Sequence, residues 1–338
     1  MKVPSSLAAV AAASISLLEG VQAHTFIHSV YVNGVDQGTF NGIRVPGYVG
    51  GPPNGAANHP VKDLESMDMR CSRMGDQQVP YTIQVRPGDN ITMEWRHAAR
   101  RAGDRIINGA PAHKGPVMVY LTPDPPTNNS FVKIWEQGKI SQSPTPGPGP
   151  KGTGRWAMSD EILDKRGLLD ARIPKDLKAG FYLLRAELIA LHLADASWKE
   201  DKHRGAEFYI DCLQLEVLGD GEVELPEGVG FPGAYDWKDP GILYDVFCSV
   251  EDPLPTPVPC PTTYQIPGPP VWTGAWPETT QVKVGEMKGP INATSWDTWI
   301  IDSVVTSASA GRVLGSATYQ QQWSTTYHTP MPTPMPTS

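Results

Sequence analysis

Three residues in this chain have the chemistry to hold a transition metal: His24, His113 and Tyr209. His24 follows Met1-Lys2-Val3, an apolar run of small residues from Leu7 to Leu18, and Val21-Gln22-Ala23. A positive start, a short apolar stretch and a small-x-small end make a secretory leader over 1–23, with the cut expected before His24. A histidine at a new N-terminus offers two neutral nitrogens, the α-amine and the ring. The amine pKa is about 8, so a metal displaces its proton at ordinary pH. Amine and ring close a chelate, and one further imidazole completes three nitrogens in a T. That geometry suits Cu(II) and leaves positions open.

His113 lies in Ala112-His-Lys-Gly-Pro116, just before the strand-like Val117-Met-Val-Tyr-Leu121. Tyr209 lies in Gly205-Ala-Glu-Phe-Tyr-Ile-Asp-Cys212. Tyr209 and Cys212 are an odd number of positions apart, so their side chains leave opposite faces of a strand. Cys212 is expected to point into the fold and Tyr209 outward, towards a metal. The remaining histidines, His28, His59, His97, His203 and His328, read as exposed or capping residues, with His97 and His203 the best spare ligand candidates. No Gly-x-Ser-x-Gly elbow, no His-Glu-x-x-His and no Cys-x-x-Cys is present.

The elements that must position these groups are strands. The 338 residues include 33 Gly and 34 Pro, too many for a chain built on long helices. Hydrophobic residues at 40% against 19% charged supply a real core, and a formal charge of −8 excludes a strongly basic nucleic-acid binder. The leader is too short to cross a bilayer, and no later stretch has 18 uncharged apolar residues. Strands are predicted over 28–32, 81–85, 91–95, 117–121, 180–187, 189–192 and 208–217, with turns such as Asn33-Gly34 between them. Ser159–Lys165 reads as one short helix, and 41–70, 96–116 and 143–154 as long loops. This spacing predicts an all-β, immunoglobulin/fibronectin-like antiparallel β-sandwich with long loops.

The composition changes at about residue 250. Fourteen of the 34 prolines follow it, and Ser and Thr become frequent. We therefore expect a sandwich domain over 24–249 and a largely irregular, Pro/Ser/Thr-rich extension over 250–338. Four cysteines in a secreted chain suggest two disulfides, for which three connectivities exist. Cys71 with Cys212 and Cys248 with Cys260 is the preferred pairing, because the first two lie in the patterned body and the others bracket the composition change. Asn90, Asn128 and Asn292 each begin an N-glycosylation triplet.

Several blocks, in order, carry a family resemblance. They are His24-Thr-Phe with Val32-Asn-Gly-Val-Asp-Gln-Gly38; Ile43-Arg-Val-Pro-Gly-Tyr48; His113-Lys-Gly-Pro-Val-Met-Val-Tyr-Leu121; Leu184-Arg-Ala-Glu-Leu-Ile-Ala-Leu-His192; Gly205-Ala-Glu-Phe-Tyr209; and Phe231-Pro-Gly-Ala-Tyr-Asp-Trp-Lys-Asp-Pro-Gly-Ile242. Together they resemble the fungal lytic polysaccharide monooxygenases of auxiliary activity family nine, copper enzymes that oxidatively cleave cellulose and related β-glucans.

The resemblance implies a single copper ion held by His24 and His113, with Tyr209 as a close axial residue. It implies that His192 hydrogen-bonds the oxidant, and that Tyr48 and Tyr235 are surface aromatics that stack on sugars. Glu207 stands where the family usually has Gln; a carboxylate there accepts a proton or holds charge beside the metal. Ala186 stands where a His is common, and Trp198–Arg204 is a charged insert. The implied function is secreted, copper-dependent cleavage of β-1,4-glucan at C1 and/or C4 by a monomer that draws on an external electron donor. Neither nucleic acid nor membrane is an expected partner. The alternatives are a copper-binding protein with the same histidine pair but no polysaccharide cleavage, and a carbohydrate-binding sandwich without catalysis.

Overall fold

The computed structural model describes residues 24–44, 58–97, 106–107, 112–141, 154–247 and 263–275, and the backbone of 312–313. Its strands are β1 (Phe26–Val32), β2 (Val35–Thr39), β3 (Ile43–Arg44), β4 (Tyr81–Val85), β5 (Asn90–Arg96), β6 (Val117–Pro123), β7 (Val132–Gln137), β8 (Lys139–Ser141), β9 (Arg155–Trp156), β10 (Leu168–Arg172), β11 (Gly180–Ala190), β12 (Glu207–Val217) and β13 (Arg312–Val313). One sheet runs β10-β5-β1-β2. The other runs β13-β4-β12-β11-β6-β7, with β3 also on β12. Every pair is antiparallel except β12 with β4. This is the predicted sandwich, with one parallel pair added. No helix of the described residues is long and apolar enough to cross a membrane.

Alternation builds the core between the sheets. β5 turns Ile91, Met93 and Trp95 inward, and β11 turns Leu184, Ala186, Leu188 and Ala190 to meet them. Asn33 and Gly34 both have positive φ (50° and 81°), the backbone that a tight β1–β2 hairpin demands and that an Asn-Gly pair adopts most readily.

The second sheet is covered on both faces. Its outer face packs Ile189, Phe208 and Ile210 under loops that bring Val61, Leu64, Phe231 and Tyr244. This explains why the two strands predicted over 180–187 and 189–192 are the single strand β11. The polar residues in that run, Arg185 and Glu187, are buried partners and mark no turn. Arg185 donates to Glu187 at 2.8 Å and to the carbonyl oxygens of Met69 and Arg70. The polar-faced strands β2, β7 and β10 were not expected from the sequence. The predicted helix is a helical turn over 157–164.

Cys71 and Cys212 form a disulfide; Cys248 and Cys260 lie outside the described residues. The odd spacing does separate Tyr209 from Cys212, but the expected faces are exchanged. Tyr209 points into the core between the sheets, whereas Cys212 packs with Cys71 and Leu183 on the other face. The outer loops make that second face as dry as the first.

Residues 263–275 lie against the sandwich. Lys133 Nζ donates to Pro267 O at 2.8 Å, Tyr264 donates to Gly241 O at 2.7 Å, and the Tyr264 ring sits 4.7 Å from that of Trp156. Proline-rich composition here reflects a strap that needs no ladder hydrogen bonds, rather than a departing linker.

Candidate metal centre

Strand register brings His192, Glu207 and Tyr209 together at one end of β11 and β12. β11 and β12 pair Ala190 with Glu207 and Leu188 with Tyr209, so His192 emerges beside Glu207. The His113 loop joins them through backbone bonds from Leu191 N to Lys114 O and from Ile189 N to Pro116 O. The contact needs a glycine. A Cβ on Gly115 would lie 1.8 Å from Ile189 O, so the Lys-Gly-Pro segment can press against β11 only without a side chain. The result is a His113 ring 4.2 Å from the His192 ring, edge to face.

Glu207 completes this group. Ligand atoms of His113, His192 and Glu207 all lie within 4.8 Å of one another. Tyr209 donates its hydroxyl to Glu207 Oε2 at 2.8 Å, and Lys62 Nζ stands 3.4 Å from Oε1. Burial first, and then the Glu207 carboxylate, push the Tyr209 phenol well above its ordinary pKa, so it stays protonated. Burial, helped by Lys62 and Arg204, lowers His192 to about 4, which leaves a neutral imidazole at neutral pH.

His24 stands just ahead of β1. Its ring lies 4.4 Å from that of His59 and 6.0 Å from that of His97. Nδ1 of His97 donates to the His24 carbonyl oxygen at 2.9 Å, and Asn58 donates to the His97 carbonyl oxygen at 3.0 Å. Three residues on, Ile27 N donates to Asp211 Oδ2 at 2.5 Å. Asp211 is two positions from Tyr209, so this bond joins the head of β1 to the strand that carries Glu207 and Tyr209.

The sequence reading picked out His24, His113, His192, Glu207 and Tyr209, held His97 as a spare candidate, and missed the supporting Asn58, His59, Lys62 and Asp211. A carboxylate inside the apolar run Tyr209-Ile-Asp-Cys-Leu213 was the available signal for Asp211. Tyr48 lies outside the described residues. Tyr235 does not belong with the surface. It is buried, with its ring against Phe208 and Phe231 and its hydroxyl between Glu187 Oε1 and the Tyr120 hydroxyl. Its exposed neighbours in sequence, Gly233 and Asp236, disguise a side chain that the buried Arg185–Glu187 pair draws inward.

Residues 24–253 match the model of Auxiliary Activity family 9 (formerly GH61). The chain belongs to Auxiliary Activity family 9. Over 257 residues it is 39% identical to AA9 family lytic polysaccharide monooxygenase A of Aspergillus fumigatus, covering 75% of this chain and 63% of that protein. Over 272 residues it is 40% identical to AA9 family lytic polysaccharide monooxygenase A of Aspergillus niger, covering 80% and 56% respectively. The chain thus spans less than two thirds of the length of these relatives. Among solved structures, CvAA9A superposes with a TM-score of 0.61 at 34% identity, over 75% of this chain and 99% of that one. The extended catalytic domain of H. jecorina LPMO9A gives 0.54 at 25% identity, over 80% and 97%. In this AA9 sandwich His113, His192, Glu207 and Tyr209 lie together beside β11 and β12.

Proposed function

We propose that this chain is a secreted, copper-dependent lytic polysaccharide monooxygenase that cleaves β-1,4-glucan at C1 and/or C4. The observation that carries the reading is the convergence of His113, His192, Glu207 and Tyr209 at the end of the sandwich to which Asp211 ties the strand headed by His24. The family match, which begins at His24, supports it.

The donor set fits copper. After removal of the leader, His24 would contribute amine and ring nitrogens and His113 a third nitrogen, a set that suits Cu(II). When bound, copper supplies the redox chemistry: reduction by an external donor, activation of O2 or H2O2, and removal of hydrogen from a sugar carbon. The chain supplies the rest. Tyr209 stays a neutral phenol, held on Glu207 and kept from acting as a strong anionic ligand. Neutral His192 would donate or accept a hydrogen bond, and Glu207 would be the adjoining proton acceptor. The partners are a polysaccharide and an electron donor, met by a monomer outside the cell. The organisation that supports this is a leader over 1–23, a sandwich from 24 that includes the 263–275 strap, and a C-terminal extension.

The test is secreted protein with a verified N-terminus at His24. We expect a single bound copper, an EPR spectrum of nitrogen-rich axial Cu(II), and oxidised sugars from cellulose when a reductant is added. His24→Ala should abolish the EPR signature of amine-ligated Cu(II). Absence of copper affinity in correctly trimmed protein refutes the reading. Tight copper without oxidised sugars would favour the copper-binding alternative, for which the Lys62–Glu207 ion pair at the site is the supporting observation.

A further inference from the structure

A carboxylate at position 207 changes what this end of the sandwich can bind. His113, His192 and Glu207 offer two imidazoles and one carboxylate with their ligand atoms within 4.8 Å of one another. An amide at 207 would leave two imidazoles and a neutral oxygen. The carboxylate adds the negative charge that makes the three a ligand set. Two His and one Glu, with a further position open, is a common way for proteins to hold Zn2+ and similar ions.

We propose that His113, His192 and Glu207 form a cation site of their own, which takes a divalent first-row ion such as Zn2+ without any contribution from His24. The donors are held in place before an ion arrives. Gly115 lets the His113 loop lie directly on β11, the Ala190–Glu207 register sets the carboxylate beside His192, and the Tyr209 hydroxyl fixes the orientation of Oε2. Hydrogen bonds of this last kind orient metal-binding carboxylates and strengthen the site. Lys62 acts in the opposite sense. Its ammonium, 3.4 Å from Glu207 Oε1, competes with an incoming cation. His113 is common to this site and to the copper site of the proposed function, so an ion on one displaces an ion from the other. The site needs no free N-terminal amine.

The experiment is titration of the metal-free, full-length secreted chain with Zn2+ by calorimetry, with Co2+ absorption as a check on coordination. His24→Ala should bind a single Zn2+ with a Kd within about threefold of the unsubstituted chain. Adding Glu207→Gln or His192→Gln should weaken it by more than about tenfold. Lys62→Gln should tighten it. Unchanged thermal unfolding of the metal-free variants shows that they fold; Glu207→Gln keeps an acceptor for Tyr209. No Zn2+ binding by His24→Ala, or equal binding after Glu207→Gln, overturns the proposal. Copper EPR of the unsubstituted chain reads the His24 site separately, so either reading can fail while the other stands.

Discussion

The backbone amide of Ile27 donates to the carboxylate of Asp211 at 2.5 Å, across the core from one sheet to the other. It is a tether between the strand that begins beside His24 and the strand that carries Glu207 and Tyr209. Without an acceptor there, the β1 amide would be buried and unsatisfied, at a cost of about 1–3 kcal/mol. Asp211→Leu should therefore destabilise the fold by about that amount, and should also weaken copper binding because the head of β1 is no longer held. Copper affinity equal to that of the unsubstituted chain would show that the tether serves stability alone.

The same residue sets a pH dependence. Burial pushes the Asp211 carboxyl well above the usual carboxylate range, and the bond from Ile27 only partly opposes this. The folded chain then keeps a proton that the unfolded chain releases above about pH 4. Stability from this group is present at low pH and lost as pH rises towards the raised folded value, with a limiting slope of about 1.4 kcal/mol per pH unit. Asp211→Asn keeps an acceptor for Ile27 and has no proton to lose. Urea unfolding at stepped pH should show the Asn variant gaining on the parent as pH rises from 4 to 7. Parallel stability curves would contradict the raised value.

Tyr235 is buried on Glu187, so its expected contribution is to the stability of the fold. Tyr235→Phe keeps the ring among Phe208 and Phe231 but removes the hydroxyl that meets Glu187. It should cost about 1.5–3 kcal/mol in chemical unfolding, the scale of a hydrogen bond to a charged group, and leave cellulose binding unchanged. Glu187→Ala should be harsher, about 3–5 kcal/mol, because it strands the buried Arg185 guanidinium. A cellulose-binding defect in Tyr235→Phe at full stability would restore the surface role.

Gly115→Ala tests the seating of His113. The added methyl would meet Ile189 O at 1.8 Å, so the His113 loop must lift from β11. We expect a drop in melting temperature together with copper affinity reduced by about tenfold or more. The distance between spin labels placed on the two segments would report the lift directly. Normal affinity would mean that the loop reseats without it.

The strap at 263–275 makes truncation informative. A chain ending at 249 leaves the buried Lys133 without the Pro267 oxygen and uncovers Trp156 and Tyr244, which Tyr264 covers. It should melt at least about 4 °C below a chain ending at 275, since losing one buried charge-assisted bond and an aromatic contact removes roughly 2 kcal/mol or more. Equal melting temperatures would place the strap outside the cooperative unit.

Local order in the chain was enough to identify the sandwich, and the family resemblance nominated the candidate site residues. Period-two alternation along 81–85 and 212–217, the Asn33-Gly34 turn, and a His-Lys-Gly-Pro segment before an apolar strand are near-neighbour signals. They survive folding because backbone geometry imposes them wherever the strand goes. Tertiary contact decided the rest. Alternation shows that Tyr209 and Cys212 face apart, but which face is the core depends on the loops that cover the second sheet. The inward turn of Tyr235 depends on Glu187, 48 positions away; the holding of Ile27 depends on Asp211, 184 positions away; and the return of 263–275 depends on Lys133, 134 positions before Pro267. Each is a polar or aromatic group whose burial is favourable only when a distant partner completes it, and no local pattern encodes a partner at that distance.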